Sequence, residues 1–130
     1  MNRDVGPSIK IWLYTLVLMV FTMVFIGGVT RLTDSGLSMV DWKPLMGAIP
    51  PLSDLEWNNT FDKYKQFPEY KIINKGMSLS EFKSIFFWEY FHRLFGRLIG
   101  VVFLFPFLFF FIKKKLSTRF TKKVFVAFIL

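Results

Sequence analysis

The chain has no cysteine and only one histidine, His92. The first absence excludes disulfides, thiolate metal centres and cysteine nucleophiles. The second excludes any bis-histidine or multi-histidine metal site built from this chain alone, four-coordinate zinc included. Acidic residues are missing where basic ones crowd: Lys113–Lys123 holds six Lys/Arg and no Asp or Glu. Much of the net charge of +8 therefore sits in one short run between apolar segments. That placement reads as membrane topology and argues against nucleic acid as a partner.

What is present is apolar. Hydrophobic residues make up 53% of the 130, and 18 of them are Phe. The mean hydropathy of +0.42 is too high for an ordinary soluble domain of this size and points to membrane spans. Residues 1–10 read as a short cytoplasmic N-terminus in which Pro7 breaks any early helix. Ile11–Val29 carries no charge. As a helix it reaches about 28 Å, enough for one crossing. A signal peptide would have a shorter apolar core and a small-x-small cleavage site, and no such site is evident. Segment 11–29 is therefore read as the first transmembrane helix.

Residues 30–78 read as an ordered outer loop. Asp34-Ser35-Gly36 is turn chemistry, with Gly36 expected to supply a positive φ. Trp42, Pro44 and Pro50-Pro51 mark irregular structure too apolar to be disordered. Ser53-Asp54-Leu55-Glu56 fits a capping box. It opens a short amphipathic helix over 54–66, stopped by Pro68, whose apolar face is expected against the membrane surface or the bundle top. Asn58-Asn59-Thr60 matches the N-glycosylation pattern, a match that is common by chance.

A second capping box, Ser78-Leu79-Ser80-Glu81, opens a continuous helical pattern over 79–112. At about 50 Å it exceeds the roughly 30 Å hydrocarbon core, so its first turns are expected in water and His92 near the membrane boundary. Pro106 is expected to kink the last third. Residues 113–123 then form a cytoplasmic loop by the positive-inside rule, which sets the N-terminus inside and 30–78 outside. Residues 124–130 begin a third apolar run, read as the start of a truncated transmembrane helix.

The candidate site lies on the long helix. Glu89, His92, Gly96 and Gly100 fall on one stripe at steps of three and four. The imidazole is a candidate iron ligand, and the glycines offer a smooth face to a flat partner such as another helix or a porphyrin. Arg93 and Arg97 form a neighbouring stripe, and guanidinium groups suit bidentate capture of carboxylates. The plainer reading stays open. In it His92 faces headgroups, the glycines pack helices, the arginines anchor at the interface, and Glu89 merely pairs with Arg93 for tenths of a kcal/mol.

Two motifs carry a resemblance. Gly27-Gly28-x-Thr30-Arg31-Leu32-Thr33-x-Ser35-Gly36-Leu37-Ser38, followed by Trp42-x-Pro44 and Pro50-Pro51, is one; Glu89-Tyr90-x-His92-Arg93-x-x-Gly96-Arg97 is the other. In this order and spacing they resemble the haem A synthase family, in its cysteine-free branch of mitochondria and related bacteria. The resemblance covers nearly the whole chain from about residue 8. It implies eight transmembrane helices in two four-helix halves. This chain would then be the N-terminal part of one transmembrane four-helix bundle in an all-α membrane protein.

The activity implied is oxidation of a ring methyl of haem O to the formyl of haem A, for cytochrome c oxidase. One half would hold the substrate haem and the other a haem b. The resemblance makes Glu89 the essential glutamate, a catalytic residue, and His92 an axial iron ligand; Arg93, Gly96 and Arg97 are the candidate haem contacts. It also implies a multi-pass protein of the bacterial inner membrane, or of the mitochondrial inner membrane in a eukaryote. Haem O synthase, oxidase assembly factors and a second copy of the chain are candidate partners beside the lipid bilayer. With the partner histidine and second half missing, the fragment itself is expected to be inactive. The rival readings are a non-catalytic haem-binding electron carrier, which has no need of Glu89, and a cofactor-free structural membrane subunit.

Overall fold

The computed structural model describes residues 5–39 and 49–130, and the described residues are helical with no strand. The helices are α1 (Pro7–Leu32), α2 (Asp54–Tyr64), α3 (Pro68–Ile72), α4 (Leu79–Ile112) and α5 (Thr118–Ile129). Trp42 and Pro44 lie outside the described residues. Helices α1 and α4 are long and apolar enough to cross a membrane, with mean hydropathies of 2.2 and 2.3 over their most apolar stretches. Many of their large apolar side chains are exposed, as suits a surface that lipid covers.

Prolines act here mainly as helix starters. Pro7 opens α1 where it was expected to break a helix: at the first helical position its missing N–H costs nothing and its φ is already helical. Pro68 likewise opens α3 three residues beyond the Lys65 cap of α2. The serine boxes work as local chemistry dictates. Ser53 Oγ accepts from Glu56 N at 3.2 Å, while Glu56 Oε2 accepts from Leu52 N at 2.7 Å. Ser78 Oγ accepts from Glu81 N at 3.2 Å, and Glu81 Oε2 accepts from Ser78 N at 3.0 Å, a reciprocal cap.

Both long helices end in a Schellman motif. In α1, Ser35 N donates to Thr30 O at 2.9 Å and Asp34 N to Arg31 O at 3.3 Å, with Asp34 at φ 51°. In α4, Lys115 N donates to Phe110 O and Lys114 N to Phe111 O, both at 3.0 Å, with Lys114 at φ 52°. The left-handed residue after α1 is therefore Asp34, not the expected Gly36. Aspartate tolerates this conformation better than most residues. It also falls directly after the last carbonyls that need closing, where Gly36 comes two residues too late.

The chain divides into two compact units, each containing part of α1 and part of α4. In the unit formed by residues up to Phe21 and Arg97–Leu130, the core is Ile9, Trp12 and Phe110, flanked by Leu13, Phe103, Phe107 and Phe120. Trp12 Nε1 donates to Val102 O at 2.8 Å. That carbonyl is the one Pro106 leaves without its helical donor, since residue 106 would otherwise supply the N–H. An indole donor from the neighbouring helix thus satisfies a backbone group that lipid cannot.

The other unit, Thr22–Gly96, is built on an aromatic cluster. Trp57, Phe61 and Tyr64 of α2 bury against Phe82, Ile85, Phe86 and Tyr90 of α4. Ring centroids lie 4.8 Å apart for Phe61–Phe82 and 5.0 Å for Trp57–Phe86. The apolar face of α2 is thereby consumed by the first turns of α4, where a membrane surface or bundle top was the expectation.

Candidate functional site

Helical spacing on α4 turns Phe82, Ile85, Phe86 and Glu89 toward the interior of their unit, and Glu89 is only 3% exposed. A buried carboxylate needs partners. Glu89 Oε2 accepts from Ser38 Oγ at 2.8 Å and from Met39 N at 2.7 Å, and Oε1 is in a direct ion pair with Arg93. These three donors fill most of the roughly four lone-pair sites of an ionised carboxylate. The bare pair with Arg93 is therefore only part of the arrangement.

The segment that reaches Glu89 is organised by hydroxyls. Thr33 and Ser35 share a short hydrogen bond between their side chains. Ser38 N donates to Ser35 O at 3.2 Å. Ser38 is fully buried, with Ser35 O, Ile85 O and Glu89 Oε2 all within reach of its single proton. The charged oxygen is the strongest acceptor of the three. Thr30 Oγ1 bonds Ile26 O at 2.9 Å and approaches Trp88 O at 3.5 Å. Both sequence motifs thus meet in one polar network.

His92 stands one turn after Glu89, partly buried, and makes no hydrogen bond or ion pair among the described residues. Its ring lies against α1 at Gly27: a Cβ on that glycine would stand 3.2 Å from Nε2 and 3.6 Å from Cδ2. Gly96 faces Met23 of α1, whose Cε would be 3.3 Å from an added Cβ, so this part of the expected smooth face already holds a methionine tip. Gly100 has open space around it. Arg93 is committed to Glu89. Arg97, in the other compact unit, has a buried Nη1 with no hydrogen-bond partner among the described residues. A charge so placed on a membrane-spanning helix is costly unless an anion meets it.

Among the described residues the His92 imidazole has both nitrogens unengaged, which fits a haem iron, and in the other unit the unsatisfied buried Nη1 of Arg97 fits a carboxylate. No cluster of three or more His, Cys, Asp or Glu side chains able to hold a metal ion by themselves occurs among the described residues.

Outside the spans, an open groove of about 410 Å³ is lined by Thr30, Asp34, Leu37, Glu69 and Ile72, among others. Burial pushes the Glu69 carboxyl above its ordinary value, with the charges of Glu89 and Asp34 adding to the effect. Its Oε2 is buried without a hydrogen-bond partner among the described residues. Burial also raises the Tyr64 hydroxyl, offset in part by Asn74 Nδ2, which donates to it at 2.8 Å.

Sequence reasoning assigned no role to Ser38 or the Met39 amide. Ser38 closes the first motif, and a hydroxyl that ends a polar run between two apolar helices was the available signal. Gly27 stands in the first motif, and nothing local shows that its contact is the histidine ring.

Fold and site together define an all-α membrane protein whose first loop is pinned to a buried carboxylate, one helical turn from a histidine that has no hydrogen-bond or ion-pair partner among the described residues. The family model of the cytochrome oxidase assembly proteins (COX15-CtaA) matches residues 10–130, and the chain belongs to that family. It is 60% identical over 110 residues to Heme A synthase of Nitrosospira multiformis, covering 85% of this chain and 31% of the relative. It is 50% identical over 119 residues to Heme A synthase of Caulobacter sp. strain K31, covering 92% and 35%. For Heme A synthase of Rhodospirillum centenum the identity is 54% over 110 residues, covering 85% and 29%. The chain thus spans about a third of the length of these curated relatives. No solved structure matches it.

Proposed function

We propose that this chain is part of a haem A synthase, and that it would supply one histidine ligand for haem iron, with its supporting polar network, to a membrane protein that oxidises haem O to haem A. The observation that carries the reading is the pairing of a buried, triply hydrogen-bonded Glu89 with an unpartnered His92 one turn later. A cofactor-free structural subunit could use Glu89 as an anchor for residues 35–39, but has no use for an imidazole left without a partner among the described residues.

When bound, haem supplies the redox chemistry: electron transfer where it is a resident haem b, or the methyl carbon to be oxidised where it is the substrate haem O. The chain's own residues do the rest. His92 would offer a ring nitrogen to the iron. Glu89 holds a fixed negative charge close by; with three donors on it, it acts more readily as an electrostatic stabiliser than as a base, and Oε1 keeps the remaining acceptor site. Arg97, in the other unit, would have its unsatisfied Nη1 to offer to a carboxylate, and Arg93 keeps donors free beyond its bond to Glu89. A flat group held against Gly96 would meet the flexible tip of Met23. The loop 30–78 faces the periplasm or intermembrane space, and the inner membrane is the site of action.

The full-length protein, expressed with a source of haem O, should yield haem A on extraction and chromatography. Recovery of haem b alone, with haem O untouched, would favour the electron-carrier reading.

A further inference from the structure

We propose that Gly27 is a positioning residue for His92, its missing side chain being the slot that sets the orientation of the imidazole. The proposal rests on the reading of His92 as a haem ligand and adds a residue to it. A glycine in a membrane helix is ordinarily explained by close backbone approach between helices. Gly27 does not fit that explanation. Among the described residues, and apart from its own stretch of α1, a Cβ at position 27 would meet within 4 Å only Nε2 and Cδ2 of His92, so the backbone of α4 is not what the glycine accommodates. Its neighbour Gly28 meets nothing within 4 Å. The need for a missing side chain therefore falls on one residue of the pair and concerns one edge of one ring.

A methyl group 3.2 Å from Nε2 is closer than comfortable van der Waals contact, which lies near 3.5–4.0 Å. The ring would have to give way by a few tenths of an ångström. On an α-helix its freedom to do so is limited, because one χ1 well is closed by the preceding turn. An axial ligand must present its nitrogen along a fixed direction, so a small rotation of the imidazole alters the iron's ligand field or its occupancy.

The test uses full-length Gly27→Ala, with Gly28→Ala as control for the general effect of replacing a helical glycine and His92→Ala as reference. Two quantities are read: the haem spectrum and electron paramagnetic resonance signal per protein, and the Tm. Gly27→Ala should shift the low-spin signal or lose haem from this half, while Gly28→Ala matches the unmodified protein. The Tm penalty of Gly27→Ala should disappear in the His92→Ala background, as a double-mutant cycle requires when the contact is with that ring. The cycle also covers the case in which Gly27→Ala alone fails to accumulate, because recovery in the double variant reports the same contact.

If Gly27→Ala and Gly28→Ala behave alike while His92→Ala loses the haem, the positioning role is overturned and the haem-ligand reading stands. If His92→Ala itself leaves the haem unchanged, the haem-ligand reading fails and takes this inference with it.

Discussion

Ser38 Oγ lies 2.8 Å from Glu89 Oε2, joining two residues fifty-one positions apart. Both are buried, so the bond is between a hydroxyl and a charge with no water to replace either. Ser38→Ala removes a donor from a buried carboxylate, which costs about 1–3 kcal/mol. The Tm of the full-length protein should fall, and it should fall less when Glu89→Gln is already present, since the charge is then gone. Glu89→Gln alone should keep haem bound yet depress haem A formation. Normal haem A yield in that variant would reduce Glu89 to an anchor for residues 35–39.

Trp12 and Pro106 make a second testable pair through Val102 O. Trp12→Phe keeps the ring in the core but removes the donor, stranding a carbonyl at a cost of about 1–2 kcal/mol. In a Pro106→Ala background, residue 106 regains an N–H for that carbonyl, and the same substitution should be nearly neutral. Equal losses in both backgrounds would mean that Trp12 matters by packing alone.

Glu69 predicts a pH dependence. Its folded pKa is raised above the ordinary 4.5, so between those two values the folded state holds more protons than the unfolded one. Stability then falls as pH rises through that window and stays reduced above it. Glu69→Gln should flatten this slope, raising Tm at neutral pH and leaving it unchanged well below pH 4.5. Thermal melts of both proteins across the range check it. A wild-type Tm that rises through the window would contradict the direction.

How much of this was readable in the sequence follows from how local each interaction is. The caps at Ser53 and Ser78 use atoms three residues apart, and the order of polar and acidic residues announces them. The all-helical class follows from the long apolar runs. Asp34 was missed because two rules competed: glycine is the usual left-handed residue, but the helix ends where Thr30 and Arg31 carbonyls need closing, and Asp34 is what stands there. Pro106 was read as a kink alone, and nothing near it in sequence tells that Trp12 meets the Val102 carbonyl it frees. Ser38–Glu89 and Gly27–His92 join distant segments, and no periodicity within either segment encodes the partner.

Topology gives a further prediction. The basic run at 113–123 and the charge-balanced loop before it place Asn59 outside and Ser117 inside. Both are exposed, and the chain has no native cysteine to interfere. Asn59→Cys should react with a membrane-impermeant thiol reagent in intact cells or spheroplasts, and Ser117→Cys should react only after permeabilisation. The opposite pattern would invert the membrane orientation and put the His92 end of α4 on the cytoplasmic side.

The central claim is that His92 binds haem iron. The direct measurement is haem A content together with the reduced-minus-oxidised spectrum of purified full-length His92→Ala, at expression equal to the unmodified protein. An apolar side chain cannot replace an axial nitrogen without changing the iron's coordination. Haem A should be lost and the spectrum of any haem retained in this half altered. A headgroup-facing histidine would tolerate the change, since exposed substitutions usually stay within about 0.5 kcal/mol. Unchanged haem A and an unchanged spectrum would contradict the haem-ligand account.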